Sequence, residues 1–159
     1  DGVPYPQALD KLLGKIVRLT DLGEIPPDNP YTPSNGHSNS ARCSLTGGEA
    51  EKAEIKCQEI YASGLRNPWR FAHDPNADGV HFFINDVVRK TWERILHGEA
   101  GANYGYPFRE GPCEATEGKN CKPDARYKDP AHWYKHDAGD GGAVTGAAWY
   151  PNDAGWPES

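Results

Sequence analysis

Apolar and polar residues alternate over residues 15–19, 55–62, 69–73, 81–86 and 143–150, and clusters of Gly, Pro, Asn and Asp separate these stretches. That pattern predicts short β-strands joined by turns. Residues 6–13 and 49–56 are the only candidates for short helices, and neither has the length or the clean apolar face to anchor a helical domain. Within the pattern, residues 69–73, the connection Asp74-Pro75-Asn76-Ala77-Asp78-Gly79 and residues 80–86 read as strand, tight turn and strand, which is a β-hairpin turning at Asn76 to Gly79. The same connection matches the first half of a D-x-N-x-D-G calcium loop. The twelfth loop position falls on Asn85, which lacks the bidentate carboxylate such loops use, so the turn reading is preferred. The Gly-Asp stretch 137–142 reads likewise as a loop before it reads as a metal cage.

Composition sharpens the picture. With 36% hydrophobic residues, 18 glycines, 14 prolines and a mean hydropathy of −0.81, the chain is rich in loops and poor in helix. Five tryptophans, eight tyrosines and four phenylalanines argue against disorder, because aromatic side chains supply much of the burial that ordering needs. A net charge of −6 and a pI near 5.5 disfavour nucleic acid, whose binding depends on clustered Lys and Arg. The charges are interspersed, as on an ordinary solvated surface. No apolar run reaches the length of a membrane span.

Several spaced motifs then occur in order: Gly64-Leu65-Arg66-Asn67-Pro68-Trp69, Asp86-Val87, Trp92-Glu93 and Asn103-Tyr104-Gly105-Tyr106-Pro107. Together they resemble one blade of the glucose/sorbosone dehydrogenase family, which includes soluble quinoprotein glucose dehydrogenases and hedgehog-interacting-protein-like proteins. The likeness extends to Leu13-Gly14-Lys15-Ile16-Val17-Arg18-Leu19 and Ile25-Pro26-Pro27-Asp28-Asn29-Pro30 upstream, and to Ala143-Val144-Thr145-Gly146-Ala147-Ala148-Trp149-Tyr150-Pro151 downstream. It implies an all-β fold, consecutive blades of a six-bladed β-propeller. A blade takes roughly 40 to 50 residues, so residues 1–159 are expected to be part of a propeller within a longer protein. Its bare sheet edges then need neighbouring blades or another chain to cover them.

The likeness is weakest near residues 32–56 and 111–135, read as insertions, and the four cysteines accompany these stretches. Three pairings are possible. Cys43 with Cys57 and Cys113 with Cys121 are the expected disulfides, because each would staple a loop too long to order itself. Zinc is the rival, but the spacings miss the usual ligand knuckles. Disulfides imply an oxidising compartment, hence an extracellular or cell-surface location.

The resemblance makes Arg66 and Asn67 the candidate contacts for pyrroloquinoline quinone (PQQ), whose carboxylates and quinone oxygens suit a guanidinium and an amide donor. Calcium is implied on the same ground. Family enzymes follow the acidic-Val pair with glycine, where this chain has Val88-Arg89. A β-branched residue does not take the φ values open to glycine, and this departure weighs against the cofactor and calcium seat. The family's histidine base lies on an earlier blade and its further cofactor-binding Lys and Arg on later ones, and none of His37, His73, His81, His97, His132 or His136 matches that base. Trp92-Glu93 and the Asn103 to Pro107 closure read as packing elements, with an aromatic platform for sugar rings as the alternative. Two functions remain: a PQQ-dependent oxidoreductase acting on sugar C1 hydroxyls, or a catalytically silent extracellular propeller serving adhesion, assembly or binding of a sugar or glycan. No nucleophile elbow, phosphate loop or metalloprotease helix is present.

Overall fold

A computed structural model describes residues 4–43, 54–89, 91–114, 121–136 and 142–152. Its centre is an antiparallel sheet of four strands, β5 (Pro68–His73), β6 (Phe82–Asp86), β7 (Trp92–His97) and β10 (His132–Lys135), ordered β10-β7-β6-β5. Four antiparallel strands laid side by side in chain order make a propeller blade. The predicted hairpin is present, with His73 opposite Phe82 and Pro68 opposite Asp86. Its turn forms because the Asp74 carboxylate accepts the Asn76 N–H at 2.9 Å while the Asp74 N–H reaches the His81 carbonyl at 2.9 Å.

The described N-terminal residues, 4–43 and 54–65, lie against one face of this sheet with little regular structure. β1 (Ile16–Val17) pairs with β4 (Ile60–Ala62), and β2 (Ser40–Ala41) pairs in parallel with β3 (Lys56–Cys57). The predicted strand over residues 55–62 is therefore two strands broken at Gln58 and Glu59, and that over 15–19 shortens to two residues. No helix forms over residues 6–13, where turns run instead, and part of 49–56 lies outside the described residues. Among the described residues the helical element is a single 3-10 turn, Pro33–Asn35.

Alternation along β6 divides the packing. Phe82 and Ile84 join Tyr61, Ala62, Leu65, Leu96 and Tyr104 in the main core, and a second cluster gathers Cys43, Cys57 and Ile60. On the opposite face Phe83 stacks on Trp149, ring centroids 4.8 Å apart and 5° from parallel. Residues 143–150 were expected to form a strand. They carry no ladder and are held by side chains: the Trp149 indole N–H donates to Ala72 O at 2.8 Å, and Asn76 Nδ2 to Tyr150 O at 2.9 Å.

Polar knots fix the irregular segments. Asn29, fully buried, donates through Nδ2 to the carbonyls of Arg18 and Gln58, both at 2.9 Å, and so ties the proline-rich loop to β4's approach. Gln7 and Asn103 exchange amide hydrogen bonds of 2.7 and 3.1 Å across 96 residues of sequence. β8 (Arg109–Glu110) and β9 (Cys113–Glu114) form a small hairpin after the aromatic closure. Both expected disulfides are formed, Cys43–Cys57 and Cys113–Cys121, which removes the thiolates a zinc site would use.

Candidate functional site

The corner carrying Arg66 and Asn67 is shaped by a close crossing of two chain segments. Ser63 bridges Asn103, with the Tyr104 N–H on Ser63 O at 2.9 Å and the Tyr106 N–H on Gly64 O at 2.9 Å. Gly64 sits at φ +73°, and a Cβ there would lie 2.6 Å from the Gly105 nitrogen. Only glycine allows this approach. Beyond it Leu65 plunges into the core and the chain turns outward at Arg66.

Beneath the corner lies a buried ion pair. Asp86 and Arg94 are both 0% exposed, with Arg94 Nη2 and Nε donating to Asp86 Oδ2 at 2.7 and 2.9 Å. The rest of the guanidinium is used as well, Nη1 on Tyr104 O at 2.6 Å and Nη2 on Gly64 O at 3.0 Å. Asp86 in turn accepts the backbone N–H of Asn67 at 2.7 Å and that of Arg66 at 3.2 Å. A buried charge of either sign would cost several kcal/mol left alone. Here each charge neutralises the other and both are saturated with hydrogen bonds, so the pair rivets the Gly64–Asn67 corner to the Asn103–Gly105 closure.

Above this rivet the side chains of Arg66 and Asn67 are exposed. Arg66 Nη1 donates to the carbonyls of Val87 at 2.9 Å and Val88 at 3.2 Å, and among the described residues its other guanidinium nitrogens have no partner. Val88 is buried and does not adopt a positive φ, so the backbone following Asp86-Val87 takes a conformation any residue can hold. The loop is tied further on by Glu110, which accepts the N–H groups of Arg89 and Thr91, both at 3.3 Å. An anionic quinone fits the free edge of the guanidinium and the Asn67 amide. Calcium fits poorly, because a cationic side chain already occupies the Val87 and Val88 carbonyls and Arg94 occupies the Asp86 carboxylate.

Several of the other sequence candidates have structural partners. In the Asp74–Gly79 connection Asp74 Oδ2 meets His81 Nδ1 at 3.0 Å and Asn76 Oδ1 accepts the Asn152 N–H at 2.8 Å. Most of the 137–142 loop lies outside the described residues. His136 contacts the buried carboxylate of Glu93 at 2.6 Å, and Glu93 also accepts the Val144 N–H at 3.1 Å. His37 contacts Lys56 Nζ at 3.1 Å, while His73 packs on the rings of Phe71 and Phe82. Sequence reading missed Arg94, which lies next to the noted Trp92-Glu93. Its signal was an arginine inside a strand whose register places it opposite Asp86.

Similarity to known proteins bears on the family and the fold. The glucose/sorbosone dehydrogenase family matches residues 3–158. The chain is 33% identical to aldose sugar dehydrogenase YliI of Escherichia coli K12 and 31% identical to the HIPL1 protein of Arabidopsis thaliana, in each case over 94% of its length. It spans about a third of the bacterial relative (35%) and under a quarter of the plant one (23%). Among solved structures, the apo-form of the soluble E. coli aldose sugar dehydrogenase is 30% identical with a TM-score of 0.60, covering 83% of this chain and 33% of that one. The PQQ-bound aldose sugar dehydrogenase of Streptomyces coelicolor is 25% identical with a TM-score of 0.54, covering 82% of this chain and 28% of that one. An all-β blade carrying the Arg-Asn corner and the aromatic closure, matched nearly from end to end, places this chain in the glucose/sorbosone dehydrogenase family as part of its propeller.

Proposed function

We propose that the chain is part of a PQQ-dependent oxidoreductase that acts on sugar C1 hydroxyls, and that Arg66 and Asn67 contact the quinone. The observation that carries this reading is the corner itself: its backbone is fixed by the Asp86–Arg94 pair while its guanidinium edge and amide face outward. Bound there, PQQ would supply the acceptor for hydride from the sugar; this chain's residues would orient it by charge-assisted hydrogen bonds. Residues 1–159 are read as partial propeller with insertions near 32–56 and 111–135. The apolar groove of about 260 Å³ lined by Val17, Leu19, Tyr61, Phe71, Val80 and Phe82 would be covered by a neighbouring blade. Two disulfides favour an extracellular or other oxidising compartment, and among the described residues no helix is long and apolar enough to cross a membrane.

One observation favours the second reading, a catalytically silent extracellular propeller: Arg66 Nη1 is already bonded to the carbonyls of Val87 and of Val88, the residue that stands where the family resemblance expects glycine. Quinone binding and dye-linked sugar oxidation by the full-length protein separate the two. The oxidoreductase reading expects turnover that Arg66→Ala abolishes; absence of quinone binding by the full-length protein, with or without calcium, would refute it in favour of the silent propeller. Residues 1–159 alone are expected to be inactive, since catalysis needs base, cofactor clamp and substrate within reach of one another.

A further inference from the structure

A cleft of about 310 Å³ opens between the end of the aromatic closure and the loop that follows the Cys113–Cys121 bridge. None of its lining residues belongs to the Arg66 corner. Two aromatic side chains contribute to it, Phe108, which is 49% exposed, and Tyr127. Tyr127 is seated by the chain's own glycine: Gly105 has φ +84°, and a Cβ there would stand 3.1 Å from Tyr127 Cγ and 3.0 Å from Arg109 Cβ. Its backbone is tied on both sides, the Tyr127 N–H to Asp124 O at 2.9 Å and the Lys128 N–H to Asn103 O at 2.8 Å.

The polar lining is balanced. Arg109 and Arg126 line the cleft together with Glu114 and Asp124. Arg126 folds back so that Nη2 and Nε reach the Asp124 carboxylate at 2.7 and 3.0 Å while its guanidinium carbon lies 5.2 Å from the Tyr127 ring centroid. Arg109 is buried, bonds the Pro112 carbonyl and lies 3.7 Å from Asp129. Hydrogen bonding from Arg126 holds the Asp124 carboxyl at about 2, so it stays an acceptor across the neutral range. A charged ligand would have to break one of these ion pairs. A neutral polyol would not, because its hydroxyls can donate to the carboxylate and accept from the guanidinium together, while its C–H faces lie against the aromatic rings.

We propose that this cleft binds a neutral sugar ring, one unit of a glycan, at a site separate from the quinone corner. The volume is at the lower end of the range for small-molecule sites, about 300–1,000 Å³, as one ring requires. Sugar held here is bound without being oxidised, so the site serves the oxidoreductase and the silent propeller equally.

Saturation-transfer NMR on the full-length protein tests this with methyl β-glucopyranoside and cellobiose as neutral probes and glucuronate and glucosamine as charged ones. The neutral probes are expected to bind in the millimolar range and more tightly than the charged ones. Phe108→Ala should weaken them about threefold to tenfold through loss of an aromatic face, and Asp124→Asn about tenfold through loss of a charged acceptor. Both residues are at the surface, so the fold should persist, as circular dichroism would show. Arg66→Ala should leave this binding unchanged while removing quinone binding, which keeps the two sites' failures distinguishable. No transfer to either neutral probe, tighter binding of a charged probe, or affinities untouched by both cleft variants would overturn the proposal.

Discussion

Replacing Arg94 with methionine keeps an unbranched apolar stem and removes the guanidinium with its charge and donors. Asp86 would then keep the N–H groups of Arg66 and Asn67 but lose both guanidinium bonds, and the Gly64 and Tyr104 carbonyls would each lose a donor in a buried site. Removing one member of a buried ion pair costs about 3 to 5 kcal/mol, against a total stability of about 5 to 15 kcal/mol for a domain. Urea unfolding of the full-length protein followed by tryptophan fluorescence should therefore show a large fall in midpoint. Asp86→Asn alone should cost a similar amount, because it leaves the guanidinium uncompensated. The double variant should cost about 1 to 3 kcal/mol less than the sum, since no lone charge remains buried. A loss below about 1 kcal/mol for Arg94→Met, or strict additivity in the cycle, would show that the pair does not rivet the corner.

Gly64→Ala should destabilise by at least about 2 kcal/mol in the same assay, combining a left-handed backbone with a Cβ pressed on backbone nitrogen; a neutral result would contradict the close crossing. Stability should rise with pH from about 8 towards 10, because burial, opposed by Asp10, lowers Lys15 from 10.5 to about 8 and the unfolded chain binds the extra proton in that window. Above pH 10 it should fall, because burial pushes Tyr104 from 10.0 up to about 12, so the unfolded chain releases that proton first. Thermal melts across this range, with Lys15→Met expected to flatten the rise, check both arms.

The hairpin of β5 and β6 was legible because its alternation is interrupted by turn residues whose side chains bond their own backbone. The two disulfides were legible because each pair brackets a polar loop. β7 was not assigned, because its sequence WERILH buries Glu93 and Arg94 as fully as Leu96, and charged residues in a strand read as a solvated face. β10 was hidden for the opposite reason: as an edge strand it exposes most of its residues, so HWYK shows no alternation. Residues 143–150 alternate well yet form no ladder, because alternation records a face to be buried and not the presence of a partner strand. The Arg66-Asn67 corner came from its motif, whereas what holds it in place depended on register between β6 and β7.

The Gln7–Asn103 amide pair also sets an order of events during synthesis. A chain leaving the ribosome N-terminus first can pair β5 with β6 and β6 with β7 once residue 97 has emerged, since these partners are neighbours in sequence and close short loops. Gln7 has no amide to meet until residue 103 is made, and its second acceptor, the Tyr106 carbonyl at 2.7 Å, comes later still. Pro6, Leu9, Gly14 and Ile16 find their backbone partners among residues 57–65, well before that, so the amide pair is a late latch that closes over a segment already laid down.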